Sequence, residues 1–149
     1  MNFNKFTEKS AIAFLRLAMG WLFFYSGITK IMSGDWSAEG YLKSAESFTG
    51  IYHWFASPGI LPLINFLNEW GQLFIGISLL LGIFVRWSTI FGILMMLLYY
   101  FALPFPFPNP QSFIVDQHII YALALGVLHY TKAGQFLGID KFRSSRKLF

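Results

Sequence analysis

The stretch from Ile60 to Val85, ILPLINFLNEWGQLFIGISLLLGIFV, decides the fold. Its apolar run exceeds the roughly 20 residues that a helix rising 1.5 Å per residue needs to cross a hydrocarbon core of about 30 Å. Asn65, Asn68, Glu69 and Gln72 nevertheless stand within it. A carboxylate at bilayer depth costs several kcal/mol unless it finds a partner, so this polar patch marks either a site or a structural pin.

The rest of the chain agrees with a membrane setting. Of 149 residues, 56% are hydrophobic, 20% aromatic and only 12% charged, a balance foreign to soluble domains. Ala11–Ile31, Trp87–Leu103 and Phe113–Tyr130 join Ile60–Val85 as apolar segments of crossing length. None shows the strict alternation of a barrel strand, and backbone polar groups in lipid must be satisfied within the segment. The expected fold is an all-α integral membrane protein: one domain over 1–149, a four-transmembrane-helix antiparallel bundle. Ala11–Ile31 is read as a permanent span and not a signal peptide. It carries Arg16, exceeds the usual apolar h-region, and is followed by no small-residue cleavage site.

Basic residues set the expected orientation. Lys5, Lys9, Arg86, Lys132, Lys141, Arg143, Arg146 and Lys147 gather on one side, against Lys30 and Lys43 on the other. By the positive-inside rule both termini face the cytoplasm, in a multi-pass protein of the cell (inner, cytoplasmic) membrane. The tail 131–149 then carries most of the net charge of +4 close to anionic lipid. No nucleic-acid partner is expected, because the basic residues have no reading fold around them.

The outward loops differ in kind. Ser33–Gly59 places Tyr41, Leu42, Ala45 and Phe48 on one side of a short amphipathic helix in the interface, serving either as an aromatic belt or as a lid over a cavity. Pro104–Pro110, PFPFPNP, is a stiff connector. Helices two and three, joined by little more than Arg86, and helices three and four should be antiparallel neighbours.

The absence of cysteine excludes disulfides, iron–sulfur clusters and thiolate metal sites. His118 and His129 stand eleven residues apart, about 16 Å along one helix, too far to share an ion. No bound metal or haem is expected.

Arg16, Gly20, Phe23, Gly27 and Lys30 recur at spacings of 4 and 3, as do Asn65, Glu69, Gln72 and Gly76. The two stripes should face each other, with glycines permitting close approach. Depth counted from the ends of the apolar windows puts Arg16 level with Gln72 and one turn below Glu69. Asp116 either caps the fourth helix or joins the site. His118, about 200° around that helix, is expected on another face. The polar set reads in two ways: a buried pair that fixes helix register, or a proton-handling, anion-facing site with Glu69 titrating beside Arg16.

The runs RLAMGWLFFYSGITK (Arg16–Lys30), WGQLFIGISLLLGIFVR (Trp70–Arg86), VDQHIIYALAL (Val115–Leu125) and LGID (Leu137–Asp140), with DWSAEGYLKSA (Asp35–Ala45) in the outer loop, resemble the DoxX family. That family includes DoxD-type large subunits of thiosulfate:quinone oxidoreductase. The resemblance implies a membrane subunit of a quinone-linked oxidoreductase, a thiosulfate dehydrogenase (quinone), working with a second oxidoreductase subunit. Its electron acceptor would be ubiquinone, menaquinone or a caldariella-type quinone. The family pattern matches Arg16, Gly20, Gly27, Lys30, Gly76, Gly82, Arg86, Asp116 and His118. Where the family commonly opens an E-x-x-x-G motif with glutamate, this chain has Gln72 before Gly76, and an amide does not titrate. Glu69 or Asp116 would therefore handle quinol protons, while Arg16, Lys30, Gln72 and His118 bind the quinone. The competing reading is a noncatalytic membrane scaffold for redox proteins. A solute carrier would need a homo-oligomer, because four helices enclose little pathway.

Overall fold

The computed structural model describes residues 3–108, 110, 112–136 and 138–140; the basic residues from Lys141 onward lie outside them. The described residues are helical throughout their longer elements: α1 (Phe3–Ser33), α2 (Glu39–Lys43), α3 (Thr49–Phe55), α4 (Leu61–Leu81), α5 (Val85–Ala102) and α6 (Gln117–Tyr130). Three of them, over Thr7–Ser33, Leu61–Leu81 and Val85–Ala102, are long and apolar enough to cross a membrane. The protein is a membrane protein whose apolar helices meet lipid.

Element ends follow local chemistry. Gly82 closes α4 in the left-handed conformation at φ 69°, the backbone state that glycine adopts without a Cβ clash. This places the break between α4 and α5 at Gly82–Phe84, earlier than the junction at Arg86 read from hydropathy. Leu, Phe and Ile continue straight through the turn, so composition gives no sign of it. The last long helix is also shorter than the apolar run Phe113–Tyr130. Asp116 is extended at φ −123° and ψ −178°, and its carboxylate accepts from the backbone N–H groups of His118 and Ile119, so α6 begins only at Gln117. Its 14 residues rise about 21 Å.

The four longer helices pack as two tight pairs, α1 with α4 and α5 with α6, whereas α4 touches α5 sparingly. Glycine makes the first pair close. A Cβ at Gly76 would collide with the backbone of Phe24, and one at Gly27 with the backbone of Leu73. The expected facing stripes are therefore present, but their register differs from the depth estimate. Gly20 lies against Leu80 and Gly27 against Leu73, which carries Arg16 down to Gly82 and brings Lys30 to Gln72. Close backbone contact fixes register, and the ends of an apolar window do not. Met19, Phe23, Ile75, Leu79, Met96, Leu125 and Leu128 form the core between the pairs.

In place of one interfacial helix, the segment after α1 makes two short ones, broken at Phe48, which has φ 51°. They fold over the end of the bundle opposite the Gly82 hairpin and bury Ala38, Leu42, Ala45, Tyr52 and Ala56 against Ala102. The last carbonyls of α5 have no helical partner. Tyr41 Oη donates to Tyr99 O at 2.7 Å, and the Glu46 N–H donates to Ala102 O at 3.0 Å, so this cap satisfies two of them. Tyr52 Oη adds a bond to Leu98 O at 2.6 Å, and the Ala38 N–H donates to Asn65 Oδ1 at 2.9 Å.

Gly76→Ala forces α1 away from α4 and should destabilise the protein by about 1–3 kcal/mol, the usual cost of overpacking. Gly126→Ala, where an added Cβ meets nothing within 4 Å, should leave the thermal unfolding midpoint in detergent unchanged or slightly raised.

Candidate functional site

Where α4 and α5 diverge they leave a cleft of about 880 Å³, roofed by Trp36, Tyr41 and Tyr52 of the cap. Its walls are mostly apolar, from Leu67, Phe74 and Ile75 on α4 to Phe91, Leu94 and Met95 on α5. Gly71 contributes to the space, since a Cβ there would lie 3.3 Å from the Met95 methyl group.

Polar groups concentrate under the roof. Lys30 Nζ donates to Gln72 Oε1 at 2.6 Å, and Ser26 Oγ donates to the same oxygen at 2.9 Å. An ammonium can only donate, so the Gln72 amide must present its oxygen to α1 and its nitrogen to α5. Gln72 Nε2 accordingly donates to Tyr99 Oη at 3.1 Å, and Tyr99 Oη passes its own hydrogen to Asn68 Oδ1. The ammonium also lies 4.6 Å from the centroid of the Trp36 ring, a cation–π contact between α1 and the cap. Gln72 is buried.

On the far side of Tyr99, at a ring-centroid separation of 5.6 Å, stands His118, which also lines the cleft. His118 Nδ1 pairs with Asp116 Oδ2 at 2.5 Å, contrary to the expectation that the two occupy different faces. That expectation measured angles around a continuous helix. Asp116 is the extended cap residue, and its carboxylate turns back over the first turn. Asp116 thus caps α6 and orients the His118 ring at once.

The remaining singled-out residues lie elsewhere. Glu69 is half-buried and near enough to Lys30 to attract it. It does not line the cleft, and among the described residues it forms no ion pair. Arg16 is at the opposite end, against the hairpin glycine Gly82, 1% exposed, and donates through Nη1 to Ala133 O at 3.1 Å. The planar guanidinium fits there because Gly82 and Gly138 present no Cβ to it. Asp140, whose charge acts on Arg16, accepts from the backbone N–H groups of Phe84 and Val85 at 3.1 and 3.2 Å. It thereby caps α5 from outside that helix. At the same level Thr89 Oγ1 and His129 Nδ1 lie 3.0 Å apart. Gly138 and Asp140 thus form part of a clamp that ties α1, the hairpin and the segment after α6.

Tyr99 and the donor side of Asn68 are the site features that sequence reasoning missed. Asn68 was visible only as a neighbour of Glu69. Tyr99, in LLYYFALP, was not singled out, although a phenol one turn inside a span needs a hydrogen-bond partner.

The DoxX family model matches residues 11–104. The chain belongs to the DoxX family. Among curated proteins and among solved structures, nothing matches. The DoxX match covers α1 to α5 with the Lys30–Gln72–Tyr99–Asn68 chain, and stops short of the Asp116–His118 pair.

Two predictions follow the geometry of the two ends. Replacing Arg16 by Ala in this DoxX protein should cost about 2–3 kcal/mol, the scale of lost bonds to a charged group. Its effect should appear in the unfolding midpoint while the cleft residues keep their arrangement. At the cap, burial, with smaller contributions from Tyr52 and Asp116, pushes the Tyr41 phenol up to about 12, against about 10 in an unfolded chain. The neutral phenol is thus favoured by folding. Its contribution is complete below pH 10 and is lost as pH rises through about 12. Tryptophan fluorescence should report cap loosening over that window, and Tyr41→Phe should shrink the alkaline step, leaving the part due to the Tyr52 phenol, which burial also pushes up.

Proposed function

We propose that the cleft binds the ring of a membrane quinone, with the head group under the cap and the tail along the apolar wall, and that the protein is the membrane subunit of a quinone-linked oxidoreductase. The observation that carries this reading is one continuous donor chain, Lys30 to Gln72 to Tyr99 to Asn68, at the closed end of an otherwise apolar cleft. A ligand suited to such a space is flat, apolar in body and equipped with oxygen acceptors at one end. Thiosulfate as the reductant rests on the family resemblance. Quinone reduction consumes two electrons and two protons. Thiosulfate oxidation, through a second subunit, would supply the electrons. His118, which lines the cleft and is held by Asp116 behind it, is better placed than Glu69 to exchange the protons.

The same reading takes residues 113–130 as a fourth crossing, with the extended stretch before Gln117 adding to the length of α6. It also takes the cap as facing outward. Lys9, Arg86 and Lys132 gather at the hairpin end and Lys43 at the cap end, a distribution that supports cytoplasmic termini in the inner membrane.

A decyl-tailed ubiquinone or menaquinone analogue should raise the unfolding temperature of the detergent-solubilised protein saturably, because ligand bound only to the folded state stabilises it by mass action. Gln72→Leu, which cuts the donor chain, should abolish that shift, whereas Arg16→Ala should lower the midpoint and keep it. Absence of a shift with either quinone in well-folded wild type would leave a scaffold as the reading.

A further inference from the structure

We infer that the cleft discriminates between redox forms, taking the oxidised quinone in preference to the quinol, and that Asn68 together with Lys30 sets this selectivity. The inference rests on the quinone reading above and adds the redox form that the cleft prefers.

The donor chain has a fixed polarity. Lys30 can only donate, which turns the Gln72 oxygen toward it. The Gln72 nitrogen then donates to Tyr99, and the Tyr99 hydroxyl hydrogen goes to Asn68 Oδ1. At the end of this sequence the Asn68 Nδ2 group is left with its hydrogens. Among the described residues nothing accepts from it, and Asn68 lines the cleft. Lys30 spends one N–H on Gln72 and stands against the Trp36 face. The hydroxyl hydrogens of Tyr41 and Tyr52 are committed to Tyr99 O and Leu98 O. Among the described residues, the uncommitted hydrogens under the roof therefore include those of an ammonium and an amide, beside the Ser37 hydroxyl and the Trp36 indole N–H. A carbonyl oxygen accepts from both ammonium and amide. A quinol hydroxyl is the poorer acceptor and must turn its own hydrogen away from them.

His118 opposes this preference. With Nδ1 on Asp116, a neutral His118 presents Nε2 to the cleft as an acceptor, which suits a hydroxyl. The donor end outweighs it, because a hydrogen bond from a charged group is roughly twice as strong as one between neutral groups. The two contributions have opposite signs, so they can be separated by substitution.

The test is a pair of binding curves on the full chain in detergent, with a decyl-tailed benzoquinone and its dithionite-reduced quinol, read by quenching of the cleft tryptophans Trp36 and Trp87. The expected result is about tenfold tighter binding of the oxidised form, equivalent to a midpoint potential of the bound two-electron couple lowered by about 30 mV. Asn68→Asp is isosteric, keeps an acceptor for Tyr99 and removes both amide hydrogens; it should bring the ratio toward one. His118→Phe should raise the ratio above the wild-type value. Equal affinities, or tighter quinol binding, in wild type overturn the redox selectivity while leaving a quinone site in place. A ratio unchanged in Asn68→Asp overturns the role of Asn68. Failure of both forms to bind overturns the quinone reading itself.

Discussion

Backbone contact between α1 and α4 is the constraint on which the other arrangements depend. Gly27 and Gly76 let the two helices meet main chain to main chain. In lipid no hydrophobic force drives helices together, so close van der Waals approach has to do so. That contact fixes which residues share a level. It sets Lys30 beside Gln72 and Arg16 beside Gly82, about three turns further from the cap than the apolar windows suggested. A slip of one turn would take the ammonium off the amide and the guanidinium off the two glycines together.

Because α1 and α4 are held so closely, and α5 packs instead on α6 through Gly92 against Leu125, the weakest packing lies between the pairs. The cleft is the result. The two ends of the bundle are held by different chemistry. At the hairpin end the polar groups meet one another: Arg16, the Ala133 carbonyl, Asp140 and the first amides of α5. At the cap end the bonds run in one direction and finish on hydrogens that face the cavity. The first arrangement ties charged side chains to backbone groups and so specifies a structure; the second, on the quinone reading proposed above, offers its last hydrogens to the ligand.

The helices were legible because their signal is summed over about 20 apolar residues, and no single substitution hides it. The stripe of Arg16, Gly20, Gly27 and Lys30 was legible as a face for the same periodic reason. Register was not, since sequence spacing gives the face but not the axial offset between two helices. The Asp116–His118 pair was misread because a helical angle was applied to a residue that caps the helix from an extended conformation. The break at Gly82 lay inside an unbroken apolar run, where a left-handed glycine leaves no mark in hydropathy.

The polar stripe of α4 shows how one helix can carry both readings that its sequence allowed. Asn65 is consumed by the cap, accepting from Ala38, and is structural. Glu69 sits one turn further along, half-buried and attracted to Lys30 without pairing to it, and moderates the charge of that ammonium. Gln72 is the residue on which the site turns, and its being an amide is the useful fact. A carboxylate there would pair with Lys30 and, when ionised, could only accept hydrogen bonds, so the Tyr99 hydroxyl would have to point back at it. Asn68 would then lose the hydrogen that fixes its orientation. An amide instead accepts from α1 and donates to α5, joining the two helix pairs across the cleft while Tyr99 returns the donor polarity to Asn68 on α4. Under the proposed reading, the amide at position 72 orients its neighbours and does not titrate.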